Sequence, residues 1–211
     1  VIFEHLVVGA FQCNCFVLGC EETREAVVVD AGDALDTITE RLARHGLTVT
    51  AIVATHAHLD HVGAMSGLGE ATGAPTCLHA DDRFLYDDLA MQAGLFGLPT
   101  PPAGPVGRWL KEGDTLTWGR HRAEVIHTPG HTPGSLCFWM EHESVLFSGD
   151  TLFAGSVGRT DLWGGDHGVL MRSIRERLMT LPEGARVLPG HGPATSIGKE
   201  AAGNPFIATW S

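Results

Sequence analysis

A chain of 211 residues with 44% hydrophobic and 18% charged residues has the make-up of a folded domain with a large core, not of a disordered segment. The formal net charge of -11 and the lack of a basic stripe speak against a nucleic-acid partner. No apolar stretch approaches the roughly 20 residues of a membrane span, and the opening Val1-Ile2-Phe3-Glu4-His5 lacks a basic region followed by an apolar one, so neither a membrane anchor nor a signal peptide is expected.

In chain order, 3–8, 14–18 and 26–29 are rich in Val, Phe and Leu and predict three strands. Leu35, Ile38, Leu42 and Leu47 recur near helical spacing, which predicts a helix over 34–45 stopped by Gly46. A short buried strand is expected at 51–54, a glycine-weakened helix at 61–72, a strand at 76–78 and a helix at 81–89. The segment 91–105 holds Gly94, Gly97, Pro99, Pro101, Pro102, Gly104 and Pro105 among apolar residues and reads as one irregular loop, either a structural cover or a substrate-facing lid. Strands follow at 115–118, 122–127, 135–140 and 144–147, a helix at 166–181 and a last strand at 186–188. Two comparable halves of strands then helix predict a four-layer αββα sandwich of two mixed sheets, with residues 1–211 as a single domain. The five cysteines, Cys13, Cys15, Cys20, Cys77 and Cys137, are odd in number and show no Cys-x-x-Cys spacing, so buried reduced thiols in a cytoplasmic protein are expected.

The chemistry sits just after the apolar runs. Thr55-His56-Ala57-His58-Leu59-Asp60-His61 is followed by His131 in Pro129-Gly130-His131, Asp150 in Ser148-Gly149-Asp150 and His191 in Pro189-Gly190-His191. A lone histidine after a strand is usually a surface or core residue, and Ser-Gly-Asp alone is a turn signal. Four polar ligand-type residues between positions 56 and 61, however, have no packing reason. His56 and His58, two apart in extended chain, leave on the same side and can reach one ion. One ion needs three or four protein ligands, so seven candidates suit two ions sharing a carboxylate. Such ions, roughly 3.5–4 Å apart, can hold a hydroxide between them for attack on carbonyl or phosphoryl centres. His5, His45, His79, His121, His127, His142 and His167 are left as surface or core residues.

His56-x-His58-x-Asp60-His61, with His131, Asp150 and His191 at these separations, resembles the metallo-β-lactamase superfamily over nearly the whole chain. The resemblance implies a first metal held by His56, His58 and His131, a second by Asp60, His61 and His191, and Asp150 as the bridge. Two divalent ions are implied, with zinc first and iron or manganese also compatible with mixed His and carboxylate ligands. A bridging Asp is not expected of true metallo-β-lactamases, which disfavours antibiotic hydrolysis.

Ser148-Gly149-Asp150-Thr151-Leu152-Phe153, the run from Gly155 through Gly158-Arg159-Thr160-Asp161-Leu162, Pro189-Gly190-His191-Gly192-Pro193 and Asn204-Pro205-Phe206 resemble the glyoxalase II-like hydrolases. These cleave S-acylglutathione thioesters, typically S-lactoylglutathione. Asp60 and Asp150 are then the catalytic carboxylates and a small-molecule thioester the partner. By the same resemblance Arg159 binds a substrate carboxylate, the alternative being an arginine paired with Asp161 or another structural carboxylate. The sequence ends at Ser211 without the added C-terminal helical region of classical glyoxalase II, which favours the thioester class over glutathione itself. Persulfide dioxygenases, with one iron and O₂, share the Gly-Arg-Thr-Asp run, but the form around His191 looks more like the hydrolases. Related lactonases use a tyrosine near the metals, whereas Tyr86, the single tyrosine, lies far along the chain from every candidate ligand.

Overall fold

The computed structural model describes residues 1–207. The first sheet has the order β1 (Ile2–Val8), β2 (Cys13–Gly19), β3 (Glu25–Val29), β4 (Thr48–Val53), β5 (Thr76–His79), β6 (Arg108–Leu110). Its first three strands pair antiparallel and the rest parallel. The second sheet has the order β14 (Thr195–Ser196), β13 (Arg186–Pro189), β10 (Val145–Gly149), β9 (Leu136–Met140), β8 (His121–His127), β7 (Thr115–Trp118). Only β10 and β13 run parallel there. A two-stranded ribbon, β11 (Leu152–Phe153) with β12 (Ser156–Val157), follows β10.

Strand alternation builds the layers. On β2, Phe16 and Leu18 face the other sheet, where they meet Trp118, Phe138 and Phe147, while Cys15 and Val17 face the helices. On β9, Leu136, Phe138 and Met140 join the core between the sheets, and Cys137 and Trp139 face the helices on the far side. Successive side chains of a strand point to opposite faces, so each central strand serves two cores and reads as a continuous apolar run. Helices α1 (Leu35–His45), α2 (Leu59–Val62), α3 (Met65–Thr72), α4 (Arg83–Asp87) and α5 (Leu89–Phe96) belong to the first half. Helices α6 (His167–Ser173) and α7 (Ile197–Gly203) belong to the second. The result is the expected four-layer αββα sandwich.

Several expected elements are divided. The helix expected over 61–72 is two helices, because Ala64 N–H donates to Ala31 O at 2.9 Å instead of continuing the α2 ladder. The helix over 81–89 begins as a 3₁₀ turn, Ala80–Asp82, before α4. The helix over 166–181 changes to a π turn at Ile174–Leu178, closed by Met179 N–H to Ile174 O at 2.9 Å. The segment 91–105 is not one irregular loop. Its first part lies in α5, whose start is capped by Asp88 and whose end is Gly97 in the left-handed region. Gly94 is tolerated inside the helix, and only the proline-rich remainder is irregular. The short strand β6, with two of its three residues exposed, had no sequence signal. All five cysteines are free and buried.

Candidate metal centre

Every expected ligand lies just beyond the C-terminal end of a strand. His56 and His58 follow β4, His131 follows β8, Asp150 follows β10 and His191 follows β13; Asp60 and His61 lie on α2. Both sheets therefore deliver residues to one edge, where polar groups can converge without crossing a core.

The histidines form two groups. In the first, His56 Nε2 lies 3.0 Å from His58 Nδ1 and 3.2 Å from His131 Nε2, and His131 Nε2 lies 2.9 Å from His58 Nδ1. In the second, His61 Nε2 lies 3.2 Å from His191 Nε2, which lies 3.0 Å from Asp60 Oδ2. Asp150 stands between them, with Oδ1 3.5 Å from His61 Nε2 and Oδ2 3.6 Å from His131 Nε2. Its Oδ1 is buried without a hydrogen-bond partner. The seven side chains named from the sequence are thus all brought together.

The opposite ring nitrogens fix which atoms face inward. His131 Nδ1–H donates to Arg159 O at 2.7 Å, and His61 Nδ1–H donates to Asp30 Oδ2 at 3.0 Å. In the neutral rings, Nε2 of each is then a lone pair aimed into its group. His58 presents Nδ1 to the first group and has its Nε2 buried and unpartnered. Lone pairs held about 3 Å apart repel one another, and a cation among them removes that repulsion. The donor set therefore fits divalent metal.

Electrostatics divide the groups in the same way. Burial pushes His56 and His58 well below the ordinary imidazole range, helped by neighbouring histidines. Burial also works against charge on His61, but the carboxylates of Asp60, Asp150 and Asp30 outweigh it and raise its pKa. At His191, burial is likewise outweighed by the hydrogen bond to Asp60 and the charge of Asp150. Asp60 is opposed by burial yet held far below the carboxylate range by His61 and His191.

Residues outside the motifs hold this arrangement. Buried Asp30, next after β3, accepts from Thr55 N–H at 2.7 Å and Thr55 Oγ1–H at 2.9 Å as well as from His61. Buried Asp82 accepts from Ala57 N–H, Thr132 Oγ1–H and Gly134 N–H, tying the His56–His58 loop to the His131 loop. Gln92 of α5 accepts from Leu59 N–H at 2.9 Å and donates to Ala57 O at 3.0 Å. Asn14 donates to Pro189 O and Gly192 O, clamping the His191 loop. Sequence reasoning missed all four. Asp30 did carry a signal, an acid directly after a strand, but one shared with any turn. Gly190 is required by space: a Cβ there would lie 2.3 Å from Asp150 Oδ1 and 2.6 Å from His61 Cε1. Cys13 Sγ packs 3.6 Å from His61 Nδ1, and burial pushes its thiol up to about 12.

Arg159 lines the same cleft as His58, Asp150 and Trp163. Its guanidinium fork is already engaged by Asp161, at 2.7 and 2.8 Å, on the exposed side of the cleft. Tyr86 is buried in the core of the first half and does not line the cleft.

A model of the metallo-beta-lactamase superfamily matches residues 8–191. The chain belongs to that superfamily, whose members imply divalent metal and hydrolase chemistry. It is 38% identical to the hydroxyacylglutathione hydrolase GloC of Haemophilus influenzae, over 97% of both chains. Among solved structures, the BLEG-1 B3 metallo-beta-lactamase is 41% identical with a TM-score of 0.91, covering 98% of this chain and 99% of that one. TTHA1623, solved in a di-iron-bound form, is 42% identical with a TM-score of 0.87, covering 96% and 99%. The first of these structures sits against the expectation that antibiotic hydrolysis is disfavoured. The second is described with iron, where zinc was the first expectation for this chain.

Proposed function

We propose that this protein hydrolyses thioesters of small acids, with S-acylglutathione compounds such as S-lactoylglutathione as the first candidates. The observation that carries the reading is the pair of inward-facing imidazole groups on either side of Asp150, whose Oδ1 lies 3.5 Å from His61 Nε2 and whose Oδ2 lies 3.6 Å from His131 Nε2 and 3.7 Å from His191 Nε2. The likeness to GloC supports the choice of ester. In this reading His56, His58 and His131 hold one ion, Asp60, His61 and His191 hold the other, and Asp150 serves both.

The seven side chains would hold two divalent ions, zinc or iron, which when bound would supply Lewis acidity toward the carbonyl and lower the pKa of water toward about 7. The protein's own contribution is placement. Asp30 and the Arg159 carbonyl lock the His61 and His131 rings, and one of the two carboxylates, Asp60 or Asp150, would take the proton of the attacking water and return it to the leaving thiolate. The water oxygen bonds to the acyl carbon, the carbon–sulfur bond breaks and the thiolate takes up a proton. Trp163 and Phe96 wall the cleft against bulk water.

The test is elemental analysis of the purified protein with hydrolysis assays on acyl thioesters, a lactone, a persulfide with oxygen uptake, and a β-lactam. Thioester turnover with two ions per chain is the expected result; oxygen uptake with one iron would replace the reading. The likeness to BLEG-1 makes β-lactam hydrolysis the second reading, and turnover confined to the β-lactam would select it. Asp150→Ala should lower metal content and activity together, activity by about 100-fold or more. Two ions retained in that variant would remove Asp150 from the bridging position.

A further inference from the structure

The cleft at the metal centre does not end at Asp60. Beyond it opens a second cavity of about 270 Å³, against about 200 Å³ for the one containing the histidines. The two share Phe11, Leu59 and Asp60, so they adjoin along these three residues. Phe11 packs edge-on against Phe96 at 5.0 Å, forming the wall where the two cavities meet.

Their linings differ in kind. The first cavity presents imidazoles, carboxylates and Arg159. The second is walled by Phe11, Leu59, Leu98, Pro99 and Pro101, and its charged groups are Asp33 and Asp60, both acidic. No Lys, Arg or His lines it. Such a space favours an uncharged aliphatic group and repels a carboxylate or phosphate. A thioester with its carbonyl at the metal centre sends its two arms in different directions. The arm bearing a carboxylate meets no cation among the residues lining the second cavity, which leaves that cavity to the uncharged arm.

Resting on the thioester reading, we propose that this second cavity is the acyl-chain subsite and that, within that substrate class, the enzyme favours longer straight aliphatic acyl chains over short ones. An apolar cavity of about 150 Å³ takes up benzene, so this one has room for a chain of at least about six carbons. Each methylene withdrawn from water should strengthen binding about fourfold.

The experiment uses the metal-loaded full chain and a series of uncleavable analogues, the 2-oxoalkyl thioethers of 3-mercaptopropionate, in which a methylene separates sulfur from carbonyl. Calorimetry from 2-oxopropyl to 2-oxooctyl should show affinity rising about fourfold per carbon. Ala10→Trp, at an exposed position on the cavity rim, should flatten the series. Thr100→Lys, also exposed, should shift preference toward chains ending in a carboxylate. A series that is flat in the unaltered protein overturns the subsite, as does a rise that both substitutions leave unchanged. Binding is read without turnover, so failure to hydrolyse the hexanoyl thioester of the same thiol would count against the proposed reaction and leave the subsite to be judged on the analogue series.

Discussion

Asp30 shows how much of the site depends on a residue that would touch no metal. One carboxylate accepts three hydrogen bonds, from the Thr55 backbone, the Thr55 hydroxyl and His61 Nδ1. It does so from a left-handed backbone conformation, φ 55°, which is unfavourable for a residue with a Cβ. Asp30→Ala would leave three buried donors without an acceptor and free the His61 ring. It should cost about 3 kcal/mol of stability, read by urea denaturation. Under the proposed ligand assignment it should also weaken the second metal by about 10–100-fold in chelator competition. Unchanged metal affinity in a folded variant would reduce Asp30 to a purely structural role. Asp30 and His61 are 31 positions apart, a pairing that the sequence alone could not disclose.

At the scale of elements, α5 matters because Gln92 on it holds the loop between His58 and Asp60. The helix starts at Asp88, whose side chain accepts from Met91 N–H at 3.0 Å. Asp88→Ala should lower stability by about 1 kcal/mol, measured by thermal unfolding. A second tie joins β1 to α1, where His45 Nε2–H donates to Glu4 Oε1 at 2.6 Å. That bond, opposed by burial and assisted by Arg41, holds the Glu4 carboxyl below its ordinary value. A lowered carboxyl pKa stabilises the fold above the unfolded value near 4.5 and the contribution disappears as pH falls through the lower folded value. Glu4→Gln should therefore cost up to about 1 kcal/mol near neutrality and nothing once both carboxyls are protonated. Melting curves of the two proteins should converge on acidification from about pH 4.5 downward. A difference that persists at acid pH would show that the tie is not ionic.

For the whole molecule, the site joins the two halves of the sandwich. His56, His58, Asp60 and His61 come from the first sheet's side, and His131, Asp150 and His191 from the second's. Ions bound between them would link the halves in the folded state alone. A chelator should then lower Tm, and returning metal at 100 times its Kd should restore about 2.7 kcal/mol. A Tm indifferent to metal would show that the core between the sheets, with Trp118, Phe138 and Phe147, holds the halves by itself. Among the described residues no helix is long and apolar enough to cross a membrane.

The layer architecture and the seven converging side chains were legible in the sequence because both rest on local pattern. Apolar runs with period two or near 3.6 define elements, and dense His and Asp after strands have no packing explanation. The breaks inside helices were not legible. The stop between α2 and α3 depends on the Ala31 carbonyl, more than thirty residues away, and α5 survives Gly94 because of its cap and its packed face. The roles of Asp30, Asn14, Asp82 and Gln92 were hidden for the same reason: each acts through a hydrogen bond to a distant part of the chain. Arg159 was visible as a candidate and Asp161, two residues on, as its alternative partner; the folded loop shows the two paired. Composition and spacing thus determined which chemistry the chain can hold. The tertiary structure decided which atoms face it and which cavities lie beside it, since cavities and hydrogen-bond directions exist only once distant segments meet.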